Sequence, residues 1–174
     1  GVDPSTGKKR GDYTGDVTIA RTLHNHSWIL EASLTRITPH ALIEQFFVGY
    51  DRFKHELAVI ETNGFQEMIA TEIRAEMVRR GKFIPIIEQK ARTEKSARLM
   101  GLEPRVRAGR VHCCSTQGEM IAQARSFRPD KEMTHDDGLD GWYYAEQFAS
   151  DPLDSARPHG LDERSDNVVS WMVA

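Results

Sequence analysis

Leu57-Ala58-Val59-Ile60-Glu61-Thr62-Asn63-Gly64-Phe65-Gln66 is the stretch from which the fold of this chain can be read. Four apolar residues in a row are too few for a helix, and their continuity points to a strand buried on both faces. Glu61 then puts a charge at the strand's end, where the backbone is rigid and the carboxylate can face a cleft. A glutamate there also fits a strand that is simply leaving the core. Asn63-Gly64 turns the chain, and Met68, Ile69, Ile73 and Met77 recur at helical spacing up to Arg80, where Gly81 ends the helix. Strand, carboxylate, turn and helix make one unit of an α/β domain.

Upstream, residues 1–35 read as a short strand, a glycine-rich turn and two further strands. Val17-Thr18-Ile19-Ala20 and Ser27-Trp28-Ile29-Leu30-Glu31-Ala32 flank a polar turn at His24-Asn25-His26, which predicts an antiparallel meander. Thr38 caps a helix opened by Pro39, with Leu42, Ile43, Phe46, Phe47 and Tyr50 on its apolar face. Downstream, Phe83–Ile87 is expected as an edge strand, because Pro85 cannot donate to a ladder. Lys90–Met100 is predicted to be a charged helix stopped by Gly101 and Pro104. Gly109–Cys113 is a short strand, Gln117–Phe127 an amphipathic helix, and Asp137 to about Phe148 a last helix. Strands first, then strands alternating with helices, predict a mixed central sheet flanked by helices. Residues 1–149 are expected to be one domain. Residues 150–174, rich in Asp, Pro and Ser, are expected to be a tail ending in the apolar patch Val168, Val169, Trp171 and Met172.

At 174 residues the chain is long enough for one well-buried domain, and its 39% hydrophobic and 28% charged content is that of an ordinary globular protein. No run approaches the ~20 apolar residues of a membrane span, and the polar, glycine-rich start is not a secretory signal. Cys113 and Cys114 are adjacent, a spacing that suits neither a disulfide framework nor a zinc site and fits a reducing cytoplasm. The net charge of −3 hides an asymmetry. Ten Lys and Arg between Arg79 and Arg110 face only Glu88, Glu94 and Glu103, whereas eleven Asp and Glu dominate Pro129–Asp166. A basic segment beside an acidic one fits a phosphate track leading to metal ions, and equally fits solvated helix faces.

Four carboxylates stand where ligands of a hard cation would be needed. Asp3 lies in Gly1-Val2-Asp3-Pro4, Glu61 ends its strand, and Asp137 and Asp140 lie in His135-Asp136-Asp137-Gly138-Leu139-Asp140. Asp137 and Asp140, three apart, share a helix face near the positive end of the helix, while Leu139, Trp142 and Tyr143 can point to the core. Asp136 is a further candidate ligand, or part of a capping cluster. Asp-Pro by itself is a turn signal in any protein. Carboxylates gathered from separate strands and a helix repel one another unless cations hold them, and oxygen-only ligands suit Mg²⁺ or Mn²⁺.

The order Gly-Val-Asp-Pro, Gly11-Asp12-Tyr13-Thr14, Ile60-Glu61-Thr62-Asn63-Gly64-Phe65-Gln66, a basic segment through Lys95 and Arg98, then His135-Asp136-Asp137 with Asp140 resembles the nuclease domain of the tailed-phage terminase large subunit. The resemblance spans residues 1 to about 148. It implies an RNase H-like mixed central sheet flanked by helices, as in Holliday-junction resolvases. It further implies a two-ion Mg²⁺ or Mn²⁺ endonuclease that cuts concatemeric viral DNA during packaging. On this resemblance Asp3, Glu61, Asp137 and Asp140 are the catalytic metal ligands, Asp3 bridging the ions and Asp137 assisting Asp140. Lys90, Arg92, Lys95 and Arg98 would meet DNA phosphates. The implied partners are double-stranded DNA and, in the full-length protein, the portal and the small terminase subunit, with no membrane. The isolated domain is expected to be a monomer in the host cell cytoplasm.

No GxxxxGK[ST] loop accompanies these motifs, and Gly7-Lys8 lacks the rest of that pattern. The chain is therefore expected to be a nuclease domain excised from its ATPase, with most of a first strand upstream of Asp3 left out. A resolvase-like or RNase H-like nuclease with another substrate, and a non-catalytic module docking on DNA or the portal, are the alternatives. If the four carboxylates line an open cleft, Glu61→Ala and Asp140→Ala should stop cleavage while leaving stability unchanged or slightly higher.

Overall fold

β-Branched and apolar runs build a single six-stranded mixed sheet in the order β5-β4-β1-β2-β3-β6. The computed structural model describes residues 1–5, 13–63, 65–131 and 136–149. The expected tail, Gly11-Asp12, Gly64 and His135 lie outside the described residues. β1 (Val2–Asp3), β2 (Thr14–Arg21) and β3 (Ser27–Thr35) form the expected antiparallel meander. β4 (Ala58–Glu61) then joins β1 in parallel, with Val2 opposite Ile60, so Asp3 and Glu61 each follow a paired residue on neighbouring strands. β5 (Ile86–Gln89) and β6 (Val111–Cys113) add parallel edges beside β4 and β3.

α1 (Pro39–Phe53) starts where expected, the Ala41 amide donating to Thr38 Oγ1 at 3.2 Å. Together with α2 (Phe65–Arg80) it supplies most of one apolar core: Leu42, Ile43, Phe46 and Phe47 meet Ile69, Ala70, Ile73 and Met77, with Val2, Ala58 and Ile60 from the sheet. Met68, expected on that face, is 50% exposed, and Ala70 takes its place in the core. Gly81, at φ +61°, ends α2 in the left-handed conformation that costs glycine least.

The second core gathers Val17 and Ile29 of the sheet with Leu99, Leu102, Met120, Leu139 and Trp142. Here the expected helix Lys90–Met100 is replaced by two short ones, α3 (Lys95–Met100) and α4 (Glu103–Arg107). The reason lies in the sheet. β5 stays paired with β4 as far as Glu61 opposite Gln89, so the chain is still extended where a helix was expected to be close to starting. Pro104 sits in the first turn of α4, a position proline tolerates, and opens a helix rather than ending one. The edge strand likewise begins at Ile86 and not at Phe83, and Phe83 is exposed.

α5 (Gly118–Ser126) and α6 (Asp137–Phe148) complete this layer. α6 lies directly on the sheet because Gly15 of β2 has no side chain: a Cβ there would stand 2.0 Å from the Asp137 carbonyl oxygen. Its far end is tied down by Glu146, which pairs with Arg21 at 2.7 Å and with Arg105, and accepts from Ser27 Oγ at 2.8 Å and Trp142 Nε1 at 3.2 Å. Held at both ends, α6 presents its first turn to the ends of β1 and β4. Cys113 and Cys114 are both free thiols. No helix among the described residues is long and apolar enough to cross a membrane.

Candidate active site

The ends of β1 and β4 and the first turn of α6 bring Asp3, Glu61, Asp137 and Asp140 into one cluster. Burial pushes the Asp3 carboxyl well above the usual carboxylate range, and the neighbouring Glu61, Asp140 and Asp137 carboxylates push it further. The four positions are thus electrostatic neighbours, although they are separated by up to 137 residues of chain, from Asp3 to Asp140.

Two amides set the orientation of the strand-borne acids. Asn63 Nδ2 donates to Glu61 Oε1 at 2.6 Å. Gln66 Nε2 donates to Asp3 Oδ1 at 3.3 Å and to the Pro4 carbonyl at 2.8 Å, while Gln66 Oε1 accepts from the Asn63 amide at 2.7 Å. That last contact resembles the return bond of a capping box, and the Asn-x-x-Gln spacing was the available sequence signal for it. Tyr144, fully buried on α6, was not anticipated. Burial and then the adjacent Glu61 carboxylate push its phenol up.

The cluster is less open than the sequence implied. Glu61 is 7% exposed and Asp140 only 1%, so neither projects into a solvent-filled cleft. Asp140 Oδ1 accepts from Arg98 Nη2 at 2.8 Å, and Lys95 Nζ stands 2.7 Å from Asp140 Oδ2 and 2.6 Å from Asp136 Oδ1. Arg98, expected on a phosphate track, has a side chain only 7% exposed. Lys95 caps the cluster at 42% exposure. Although burial opposes its charge, the bonds to Asp136 and Asp140 hold its pKa above the usual lysine value. Lys90 and Arg92 precede α3 and are exposed, Lys90 pairing with Glu67 at 2.8 Å.

The donor set fits a hard divalent cation in its chemistry. Its ligand atoms are carboxylate oxygens, and burial together with like charges raises the Asp3 pKa, the second of which a cation would relieve. Among the described residues no three carboxylate, imidazole or thiol groups are grouped to hold an ion as they stand. Asp140 and Asp136 are turned to Lys95 and Arg98 instead.

The sign of the Asp3 shift gives a measurable pH dependence. Its folded pKa lies above the unfolded value, so the folded state binds more protons and stability falls as pH rises from about 3.9 through the folded pKa. Asp3→Asn removes this loss. In chelator, its melting temperature should exceed that of the wild type by a margin that grows as pH is raised from 4 to 8. A constant margin would mean that neither burial nor the neighbouring carboxylates raise the Asp3 pKa.

Fold and site together define an RNase H-like α/β domain with a carboxylate cluster at the strand ends. Two solved structures are similar to this chain, the first of them in fold. The yeast mitochondrial Holliday junction resolvase Ydc2 superposes with a TM-score of 0.56 at 8% identity, over 86% of this chain and 77% of that one. Thermus thermophilus RuvC in complex with Holliday junction substrate gives 0.47 at 9% identity, over 86% and 90%. No family model matches the chain, and no curated protein matches it.

Proposed function

We propose that this chain is a divalent-cation-dependent DNA endonuclease of the resolvase-like kind. The observation that carries this reading is the convergence of Asp3, Glu61, Asp137 and Asp140, from two adjacent strands and a helix start, into a cluster that destabilises its own charge. The shared fold with Ydc2 supports it, and the Holliday-junction activity in that protein's name makes a four-way DNA junction the first substrate to test. A bound Mg²⁺ or Mn²⁺ would supply water activation and charge stabilisation at the phosphate. Asp3 and Glu61 are the best-placed holders, with Gln66 and Asn63 fixing their carboxylates before any ion arrives. The positive end of α6 steadies Asp137 and Asp140 in its first turn.

The packaging-terminase role is the narrower form of this reading. It rests on the motif order, and the terminase would prefer long linear duplex to a junction.

The test is incision of a synthetic four-way junction, a linear duplex and an RNA–DNA hybrid by the purified chain in Mn²⁺. Cleavage should require the metal and stop with chelator. Mn²⁺ at a hundred times its dissociation constant should also stabilise the fold by about 2.7 kcal/mol. No incision of any substrate, with no thermal shift, would overturn the nuclease reading. DNA binding without incision would favour the docking module.

For DNA contact the exposed Lys90 and Arg92 replace the buried Arg98 as the residues to change. The exposed Lys90–Glu67 pair contributes little to stability, so Lys90 can be redirected to a phosphate at small cost. Lys90→Ala with Arg92→Ala should weaken binding of all sequences alike and flatten the salt slope by about two phosphate contacts. An unchanged slope would take both residues off the DNA path.

A further inference from the structure

The cations that close the cluster are themselves part of its arrangement. Lys95 opens α3, and Leu99 and Leu102, at the end of α3 and just beyond it, are buried in the same apolar core as Leu139 and Trp142 of α6. The ammonium is therefore carried on a helix that packs against the one bearing Asp136 and Asp140. It stands 2.6 Å from one carboxylate and 2.7 Å from the other. Arg98, one turn on, takes the second oxygen of Asp140 at 2.8 Å and is buried there.

Each oxygen of Asp140 thus already has a fixed positive charge against it. A divalent ion placed on Asp140 would share an oxygen with an ammonium or a guanidinium. Like charges in contact inside a protein, where water screens them poorly, repel strongly. Asp3 and Glu61 are in a different position. The amides of Gln66 and Asn63 orient them without neutralising them, and Tyr144 lies beside Glu61. Lys95 acts on Asp3 and Arg98 on Glu61, but among the described residues neither carboxylate is in ion-pair contact with these cations.

Phosphodiester hydrolysis needs positive charge both where the attacking oxygen is activated and where charge develops on the leaving oxygen. Resting on the nuclease reading above, we propose that Lys95 is a built-in cation of the site. Held between Asp136 and Asp140, it takes the place of a second divalent ion, so the chain binds one such ion, on the Asp3 and Glu61 side of the cluster. This departs from the two-ion expectation drawn from the sequence. A lysine also suits the position better than an arginine would, since its compact ammonium is a point charge on a flexible stem.

The experiment is Mn²⁺ binding to the whole chain without DNA, counted by equilibrium dialysis and by the paramagnetic resonance of free Mn²⁺. Wild type should bind one ion per chain. Lys95→Met keeps most of the aliphatic stem, removes the charge and should bind two. Lys95→Arg restores a cation and should return to one. A merely structural lysine would not change the count, and a melt of each variant in chelator confirms the fold. Two ions on wild type, one on Lys95→Met, or two on Lys95→Arg would each overturn the proposal while leaving the nuclease reading standing. No ion on wild type would instead sink the metal site itself, and both readings with it.

Discussion

Asp140→Ala is expected to destabilise the fold by about 3–5 kcal/mol, the usual cost of removing one partner from a buried ion pair. In a domain of this size that lowers the melting temperature by roughly 6–20 °C. The cause is Arg98. Its guanidinium is almost entirely buried against Asp140, which is 1% exposed, and without the carboxylate it becomes a buried charge with no counter-charge in contact. Lys95, half in solvent and also held by Asp136, contributes less to the loss. Pairing the change with Arg98→Met should recover most of the stability, because an apolar replacement of both partners avoids the unpaired charge. The comparison is made in chelator, by urea and thermal melts. An Asp140→Ala variant as stable as the wild type would mean that the Asp140–Arg98 pair does not form in solution and that the cleft is open after all.

Glu61→Gln should behave in the opposite way, losing cleavage below detection while keeping the fold. The amide has nearly the carboxylate's shape, and its carbonyl oxygen can still accept from Asn63 Nδ2, so the local packing survives. One like charge beside Asp3 disappears, so stability holds or rises slightly. What is lost is an anionic oxygen that could hold a divalent cation at the strand end, and with it the water activation that such an ion would supply. Junction incision in Mn²⁺ is the measurement. Cleavage at the wild-type rate would remove Glu61 from the site and leave it as a strand-end glutamate. On these expected outcomes the two acids separate experimentally: Asp140 would join the site to the fold's stability, whereas Glu61 would serve the site alone.

Local chemistry was legible from the residues. A cap such as Thr38, a helix stop such as Gly81 and a four-residue apolar run closed by Glu61 each depend on neighbours within a few positions, so the sequence displays their causes directly. The boundaries of α6 and the apolar face of α1 follow from the same short-range rules. The expectations failed where a partner lay elsewhere in the fold. Met68 has the helical spacing of a core residue, yet α2 packs with Met68 outside and Ala70 in the core. The charged run from Lys90 looks helical, yet β4 keeps the chain extended up to Gln89 and the helix begins only at Lys95.

The site divides along the same line. By itself the sequence marked which carboxylates are candidate ligands, through their places at strand ends and a helix start and through the motif order that carries the resemblance. Only the tertiary structure decided what those carboxylates meet. Whether Arg98 faces a DNA phosphate or Asp140, 42 residues away, depends on which helix packs over which strand. Nothing in the local pattern of either segment encodes that choice. Periodicity reports which face of an element is apolar, whereas a Coulomb pair is set by the distance between two faces, and that distance exists only once α3 and α6 have been brought together on the sheet.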